Sequence, residues 1–426
     1  MASLWIDLAE IVPGYKLSEL IFAKCLYANT KELSPLNVKS CIINFYCMTL
    51  VKMPEKTREH YFLEFSRSNS SFLRWGIFLC AGVLGGVAGL LSILLAQGLL
   101  KLGGAESAEK HGISNRLASR LGGVVIAGFV AFSLFWHEFM DTFSIINHQV
   151  AGVLILSSCY FALGLFEDLK GILKAKLRFV AMLVITVIFL MYRPDFILRY
   201  TGLGLVDEFV LANLPFAFVF TVVGLVFFVN AFNTADGANG LVSGITIFTV
   251  IGLIQLGIPG IGPFWASVGI GCGIFWLFNV SVGRIFMGDG GAYFLGATLG
   301  LGLLLVCNEA NVSVWYLLCL VFYPHADLLF SMLRRKVSGK SLFGADNGHL
   351  HNLLYKKLST INVVSNHANT VTGLLISIVF AGFPLLINLL YGDEVNFLVV
   401  YCLMWVCYSM IWSFLVNRKF RDISFN

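Results

Sequence analysis

Four polar runs interrupt an otherwise apolar chain, and their residue types could do chemistry together. The longest is Asn230-Ala231-Phe232-Asn233-Thr234-Ala235-Asp236-Gly237-Ala238-Asn239-Gly240-Leu241. Asn230, Asn233 and Asp236 are spaced by three, so a continuing helix carries them along one side. A second run, Arg284-Ile285-Phe286-Met287-Gly288-Asp289-Gly290-Gly291-Ala292, frames one carboxylate with three glycines. Glycines let backbone amides approach phosphate oxygens, and a helix N-terminus favours anions. Asp289 suits Mg²⁺, a hard cation that binds one or two carboxylates plus substrate phosphates. A third run places Glu167 beside Asp168, followed by Lys170, Lys174, Lys176 and Arg178; it offers acid/base or metal-binding carboxylates. The fourth, Phe343 to Leu353, contains Asp346, His349 and His351. Two histidines two apart share a face only if the chain is extended. With no cysteine nearby they read better as phosphate contacts than as a zinc site. Three of the runs also have a purely structural reading: an interfacial ion cluster for Glu167-Asp168, an interhelical hydrogen-bond network for Asn230–Asn239, and a helix cap for Asp289.

The elements that must position these residues are membrane helices. Of 426 residues, 58% are hydrophobic and 12% charged, against about 25% charged in ordinary soluble domains. A membrane-spanning helix needs about 20 mostly apolar residues. The pattern predicts an all-α polytopic membrane protein with about 11 transmembrane helices, near 76–100, 121–136, 149–166, 177–192, 214–232, 240–258, 262–280, 290–306, 313–333, 370–391 and 395–416. Lys and Arg concentrate in alternate loops, at 103–120, 167–176, 281–289 and 334–369, and in the tail; the opposite loops hold only Arg193 and Arg199. Such a bias marks the cytoplasmic side. All four polar runs fall on that side, which predicts one active site assembled from inter-helix loops at the cytoplasmic face. Arg334, Arg335, Lys336 and Lys340 would draw an anionic substrate there.

The domain reading is an N-terminal extension at 1–72, a catalytic membrane domain at 73–416 and a basic cytoplasmic tail at 417–426. The extension has apolar patches too short to span and no signal-peptide pattern. A start at Met53 or a tail lying on the membrane surface would each account for it. The ten cysteines show no paired spacing and are assigned no disulfide and no metal. No Gly-x-x-x-x-Gly-Lys-[Ser/Thr] run is present, which argues against an ATP-driven pump. Carboxylates, glycine-framed backbone, histidines and bases on one face point to a magnesium-bridged diphosphate; no nucleic-acid partner is expected.

In the order and spacing of these runs, residues 73–360 resemble the polyprenyl-phosphate N-acetylhexosamine-1-phosphate transferases, glycosyltransferase family 4. That family includes initiators of surface polysaccharides and the phospho-N-acetylmuramoyl-pentapeptide translocase. Glu167-Asp168 stands where the family has paired aspartates. Asn230 to Leu241 resembles its Asn-x-x-Asn-x-x-Asp-Gly-x-Asp-Gly-Leu, with Asn239 in place of the last acid. Met287-Gly288-Asp289 resembles its Met-Gly-Asp motif, and His349-Leu350-His351 its histidine motif. Ser114-Asn115-Arg116 and Arg120-Leu121-Gly122-Gly123 resemble its first cytoplasmic loop.

The resemblance implies catalytic roles for Asp168, Asp236 and Glu167, with Asp289 as the ligand of Mg²⁺ (Mn²⁺ as substitute). It implies substrate contacts by Asn230, Asn233, Asn239, His349, His351, Arg334, Arg335 and Arg116. It further implies transfer of an N-acetylhexosamine-1-phosphate from a UDP-sugar to undecaprenyl phosphate in the bacterial inner membrane, giving UMP. A homodimer is a candidate assembly. The Asp346-to-Leu353 pattern and the long basic loop favour initiation of O-antigen or another surface polysaccharide over peptidoglycan synthesis. N-acetylglucosamine, N-acetylfucosamine and N-acetylquinovosamine remain open as sugars. A rival class is a cation-coupled secondary transporter using Asp236 and Asp289, although such a protein should hold its ion near the midplane within paired repeats.

Overall fold

A computed structural model of the chain describes residues 119–423, apart from 140–146, 202, 259–260, 284, 310–311, 313, 342–345 and 362. The extension at 1–72, the expected span at 76–100, Ser114, Arg116 and Arg284 lie outside the described residues, as do the tail's last three residues.

Among the described residues the main elements are helices. They are α1 (Gly122–Phe139), α2 (His148–Lys170), α3 (Ala175–Tyr192), α4 (Leu214–Ala235), α5 (Leu241–Gln255), α6 (Gly262–Val282) and α7 (Gly288–Glu309). There follow α8 (Val314–Leu320), α9 (Phe322–Val337), α10 (Leu350–Ser359), α11 (Ala368–Ser377), α12 (Phe383–Tyr391) and α13 (Phe397–Ile423). A π-helical turn at Ile378–Gly382 joins α11 to α12. The chain is thus an all-α, multi-pass membrane protein. Ten of the eleven expected segments lie among the described residues, and each is helical. Seven are long and apolar enough to cross a membrane, by length and composition. An eighth crossing would be the pair α8–α9, which bends by 82°. Gly122–Trp136 and Leu241–Gln255 are shorter apolar helices. Among the described residues, seven of the ten expected segments are thus full-length crossings by length and composition, two are shorter and one is bent.

Helix boundaries follow local chemistry. The Asn147 side chain caps α2 by accepting from the Val150 amide at 2.8 Å, and Gly171 ends that helix at φ 63°. Pro lies in the first turn of α4 and of α6, where its missing N–H costs nothing. At the α8–α9 break, Thr249 donates to the Leu320 carbonyl at 3.2 Å and His325 meets the Val321 carbonyl at 2.8 Å. Carbonyls freed by a bend inside lipid need such partners.

α7 is the central element. Of its apolar window 89% is buried, against 11% for α13. It packs against α1, α2 and α4. Thr298 donates to Ser157 of α2 at 2.9 Å, and Tyr160 of α2 bonds Thr186 of α3 at 2.6 Å. Lipid is as apolar as leucine, so close packing and such polar contacts hold membrane helices together. The start of α7 is thereby fixed where three of the four polar runs meet.

Candidate active site

The site begins with a short pairing of two loops. Phe286 donates to the Ser119 carbonyl at 2.7 Å, Gly122 to Phe286 at 2.9 Å and Gly123 to Met287 at 2.8 Å. This fastens Arg120–Gly123 beside Met287-Gly288-Asp289. Gly288 then turns the chain into α7 at φ 75°, a conformation open to glycine at little cost. A β-carbon there would also lie 2.1 Å from the Arg120 carbonyl and 2.7 Å from an Asp168 carboxylate oxygen.

Asp168, in the last turn of α2, accepts the Asp289 amide at 3.0 Å and the Gly290 amide at 2.8 Å. The first amides of a helix have no intrahelical partner, and the helix dipole favours an anion there. Asp168 is thus an external cap on α7. Asp289 itself turns to Arg178 of α3, with which it forms an ion pair. Arg178 also reaches Tyr293 Oη at 3.5 Å, and its buried Nε has no acceptor among the described residues. Asp236, just past the end of α4, completes the group. Burial, with the charges of Asp289 and Asp168, pushes its carboxyl up to about 7 against the counter-effect of Arg120 and the Gly288 amide.

Glu167 has another engagement. Its carboxylate accepts the Leu173 amide at 2.8 Å and closes the turn after α2. Asn230 is also committed, bonding back to the Val226 carbonyl at 2.7 Å and to Met182 Sδ at 3.3 Å. Asn233 is half-buried, and no described residue bonds its side chain. Asn239 is buried in a junction: its amide donates to Asn369 at 2.6 Å, its Oδ1 faces Asn279 at 3.5 Å, and the next amide, Gly240, donates to Asn279 at 2.6 Å. The Asn230 side chain is therefore engaged within its own helix, and Asn239 is held chiefly through backbone amides in this geometry.

The fourth run forms a second half of the site. His349 is the extended N-cap of α10, at φ −62° and ψ 146°, and His351 lies in the first turn. The extended cap brings the two rings onto one side, stacked with centroids 5.5 Å apart. His349 Nδ1 lies 2.6 Å from Asp327, and His351 Nδ1 lies 2.8 Å from the Tyr323 hydroxyl. Asp346 accepts from Ser331, Arg334 and the Gly348 amide. Arg334 lies over the Trp412 ring at 5.5 Å. Arg335 is buried and donates to the Ser341 carbonyl at 2.7 Å, so it closes its own loop. The halves touch where a β-carbon on Gly237 would lie 2.2 Å from His351 Nε2.

The structure thus brings together Asp168, Asp236, Asp289, Arg178 and Arg120, with His349, His351 and Arg334 across Gly237. Sequence reasoning missed Asp327, Tyr323, Tyr408 and Asn279. Asp327 was within reach, because an ionisable residue in an apolar span marks a site. Among the described residues no three His, Cys, Asp or Glu side chains form a ready-made metal cage. The donor set nevertheless fits a hard cation. Asp289, Asp236 and Asp168 crowd like charges together, and such a cation takes carboxylates and substrate oxygens jointly.

The region that builds this centre matches known proteins in sequence. Residues 150–307, from α2 through most of α7, match the model of glycosyl transferase family 4. The undecaprenyl-phosphate alpha-N-acetylglucosaminyl 1-phosphate transferase of Thermotoga maritima is 28% identical over 203 residues, covering 47% of this chain and 60% of that protein. The phospho-N-acetylmuramoyl-pentapeptide-transferase of Staphylococcus carnosus is 27% identical over 187 residues, 42% of this chain and 57% of its own. The decaprenyl-phosphate N-acetylglucosaminephosphotransferase of Mycobacterium tuberculosis is 24% identical over 227 residues, 47% and 56%. The aligned part spans between 56% and 60% of the length of these three relatives. The stretch that matches glycosyl transferase family 4 thus takes in the helices that build the carboxylate centre, and the chain is similar to that family there.

Proposed function

We propose that this protein transfers an N-acetylhexosamine-1-phosphate from a UDP-sugar to undecaprenyl phosphate, as the first step of a cell-surface polysaccharide such as O-antigen. An oxygen of the lipid phosphate attacks the β-phosphorus, a new P–O bond forms, and the bond to the α-phosphate oxygen breaks. UMP leaves with that electron pair. The observation that carries this reading is the convergence of three carboxylates with Arg178 and Arg120 at the capped start of α7.

Asp289, exchanged out of its pair with Arg178, would hold Mg²⁺, with Mn²⁺ as substitute. Bound there, the cation would offset diphosphate charge. Arg178, with one donor unused, would turn to a phosphate oxygen. Asp236 accepts the proton of a lipid phosphate that arrives protonated; its raised proton affinity suits that task near neutral pH. Asp168 keeps the helix start in place. Asn233 would contact the nucleotide, and His349 and Arg334 would hold phosphate oxygens. Positioning and electrostatics carry most of the rate.

The loop bias in Lys and Arg supports a cytoplasmic site in a bacterial inner membrane. A reporter fused after Asn426 should read cytoplasm, and one between Phe139 and Asn147 the opposite side; agreement of the two would break the arrangement.

The decisive assay is UMP release by purified protein from UDP-sugars, with and without undecaprenyl phosphate and Mg²⁺. Release only when all are present supports the transferase. Cation-driven solute uptake without UMP release would favour a transporter. Turnover confined to the UDP-N-acetylmuramoyl pentapeptide would move the chain to the peptidoglycan branch.

A further inference from the structure

The histidine half holds a carboxylate that the transfer chemistry leaves unused. Asp327 of α9 is 1% exposed, yet it is the hub of its surroundings. His349 Nδ1 meets its Oδ2 at 2.6 Å. Its Oδ1 accepts the Leu350 amide at 3.0 Å and the Tyr408 hydroxyl at 2.6 Å. Three donors on two oxygens are the company of an ionised carboxylate, which can only accept. A neutral His349 must then carry its proton on Nδ1, because the partner of one ring nitrogen sets the state of the other. Its Nε2 faces the other way, toward the Asp346–Arg334 pair, with an Asp346 oxygen 3.8 Å off.

We propose that Asp327 is a positioning residue for His349: it commits Nδ1–H to itself and turns Nε2 toward the phosphate-binding side of the site. This rests on the transferase reading above. Through the Leu350 amide the same carboxylate tethers the start of α10, so ring and helix are set together. Tyr408 ties the arrangement to α13. His351 is not equivalent, because its Nδ1 faces Tyr323 and its Nε2 abuts Gly237. Of the two stacked rings, His349 is therefore the one presented to ligand.

The groups facing His349 are Asp327 and Arg334 from α9, Asp346 before α10 and the stacked His351 ring on α10; Tyr323 and Tyr408 bond its neighbours His351 and Asp327. Burial pulls its proton affinity down. The bond to Asp327, the Asp327 charge and the Asp346 charge outweigh burial and Arg334, so the net direction is upward.

The test is a histidine ¹⁵N NMR titration of the full chain in detergent, with UMP release from UDP-N-acetylglucosamine and undecaprenyl phosphate measured on the same samples. His349→Gln assigns the resonance. Asp327→Asn should lower the His349 pKa by about one to three pH units and shift its neutral form toward the Nε2–H tautomer. It should reduce kcat tenfold or more, and adding it to His349→Gln should cost no further activity. Tyr408→Phe removes a donor from Asp327, leaves a more basic carboxylate, and should raise the His349 pKa. A purely structural Asp327 predicts an unmoved titration and cumulative losses in the double variant; either result overturns the proposal. Should Asp327→Asn not fold, Tyr408→Phe decides: an unchanged or lowered His349 pKa overturns it. The titration needs no turnover, so an incorrect reaction would remove the activity readouts and leave the NMR result standing.

Discussion

Around Asp289, three carboxylates crowd together with Arg178 and Arg120 near them. Around Asp327, one carboxylate is met by a histidine, an amide and a tyrosine hydroxyl. The first group carries like charges in excess, and among the described residues its buried Arg178 Nε has no acceptor. The second is closed, with each Asp327 oxygen accepting. An unbalanced cluster is costly in the free protein and gains most from a ligand that brings the missing charge. A balanced one sets geometry. The first cluster is thus left open to a ligand, while the contacts of Asp327 set the position of the histidine that would meet one.

The largest expected effect breaks the unbalanced half. Asp289→Asn should lower turnover by about a thousandfold or more, roughly 4 kcal/mol of transition-state stabilisation, while detergent-solubilised protein keeps its melting temperature. Near-normal UMP release with an unchanged Mg²⁺ requirement would take Asp289 out of the metal role.

Asp168→Ala comes next, and it should fail in both activity and stability. Removing a cap costs about 0.5–2 kcal/mol, and the start of α7 then loses its anchor. A variant with lowered turnover and wild-type thermal stability would mean that Asp168 acts in the chemistry and not as a cap.

The third test uses pH. Asp236 is raised in the folded protein to about 7, so folding binds an extra proton. That stability is fully present below the ordinary carboxylate value and is lost as pH rises through about 7. The melting temperature of metal-free protein should therefore fall across that window, and Mg²⁺ should flatten the fall. A profile that rises there, or one indifferent to Mg²⁺, would contradict the unbalanced reading.

The smallest effect is assigned to Glu167→Gln. The amide oxygen can still accept from Leu173, so activity should stay within about threefold, the order of one ordinary hydrogen bond partly kept. A loss as deep as that of Asp289→Asn would return Glu167 to the catalytic group.

The contrast also marks what could be read from sequence. Met287-Gly288-Asp289 was legible because a glycine-framed acid before an apolar run has few structural readings, and Gly288 does take a positive φ. Spacing by three suggested that Asn230, Asn233 and Asp236 act together. Spacing does not reveal that a helical Asn can bond its own i−4 carbonyl, as Asn230 does. In sequence Arg178 was only the last of the bases that follow Glu167-Asp168; its pairing with Asp289 crosses 111 positions of sequence. Asp327 was hidden inside a stretch read as a plain span, which the 82° break turns into two helices. Periodicity fixes which segments are helical, while partners brought from distant segments decide which polar groups stay available.

The close approach of α2 and of the Arg120–Gly123 loop to the start of α7 has a genetic consequence. Gly164 lies against the start of α7, where a β-carbon would sit 2.6 Å from the Asp289 carbonyl; at Gly123 it would sit 2.3 Å from the Gly291 amide nitrogen. Backbone cannot yield as a side-chain tip can. Alanine at either position would leave every acid, base and histidine intact and still displace the centre. A random screen for inactive alleles should therefore recover glycine lesions alongside charge lesions. The mutational target of this activity is larger than its set of polar residues, and it includes positions that no inspection of chemical groups would nominate.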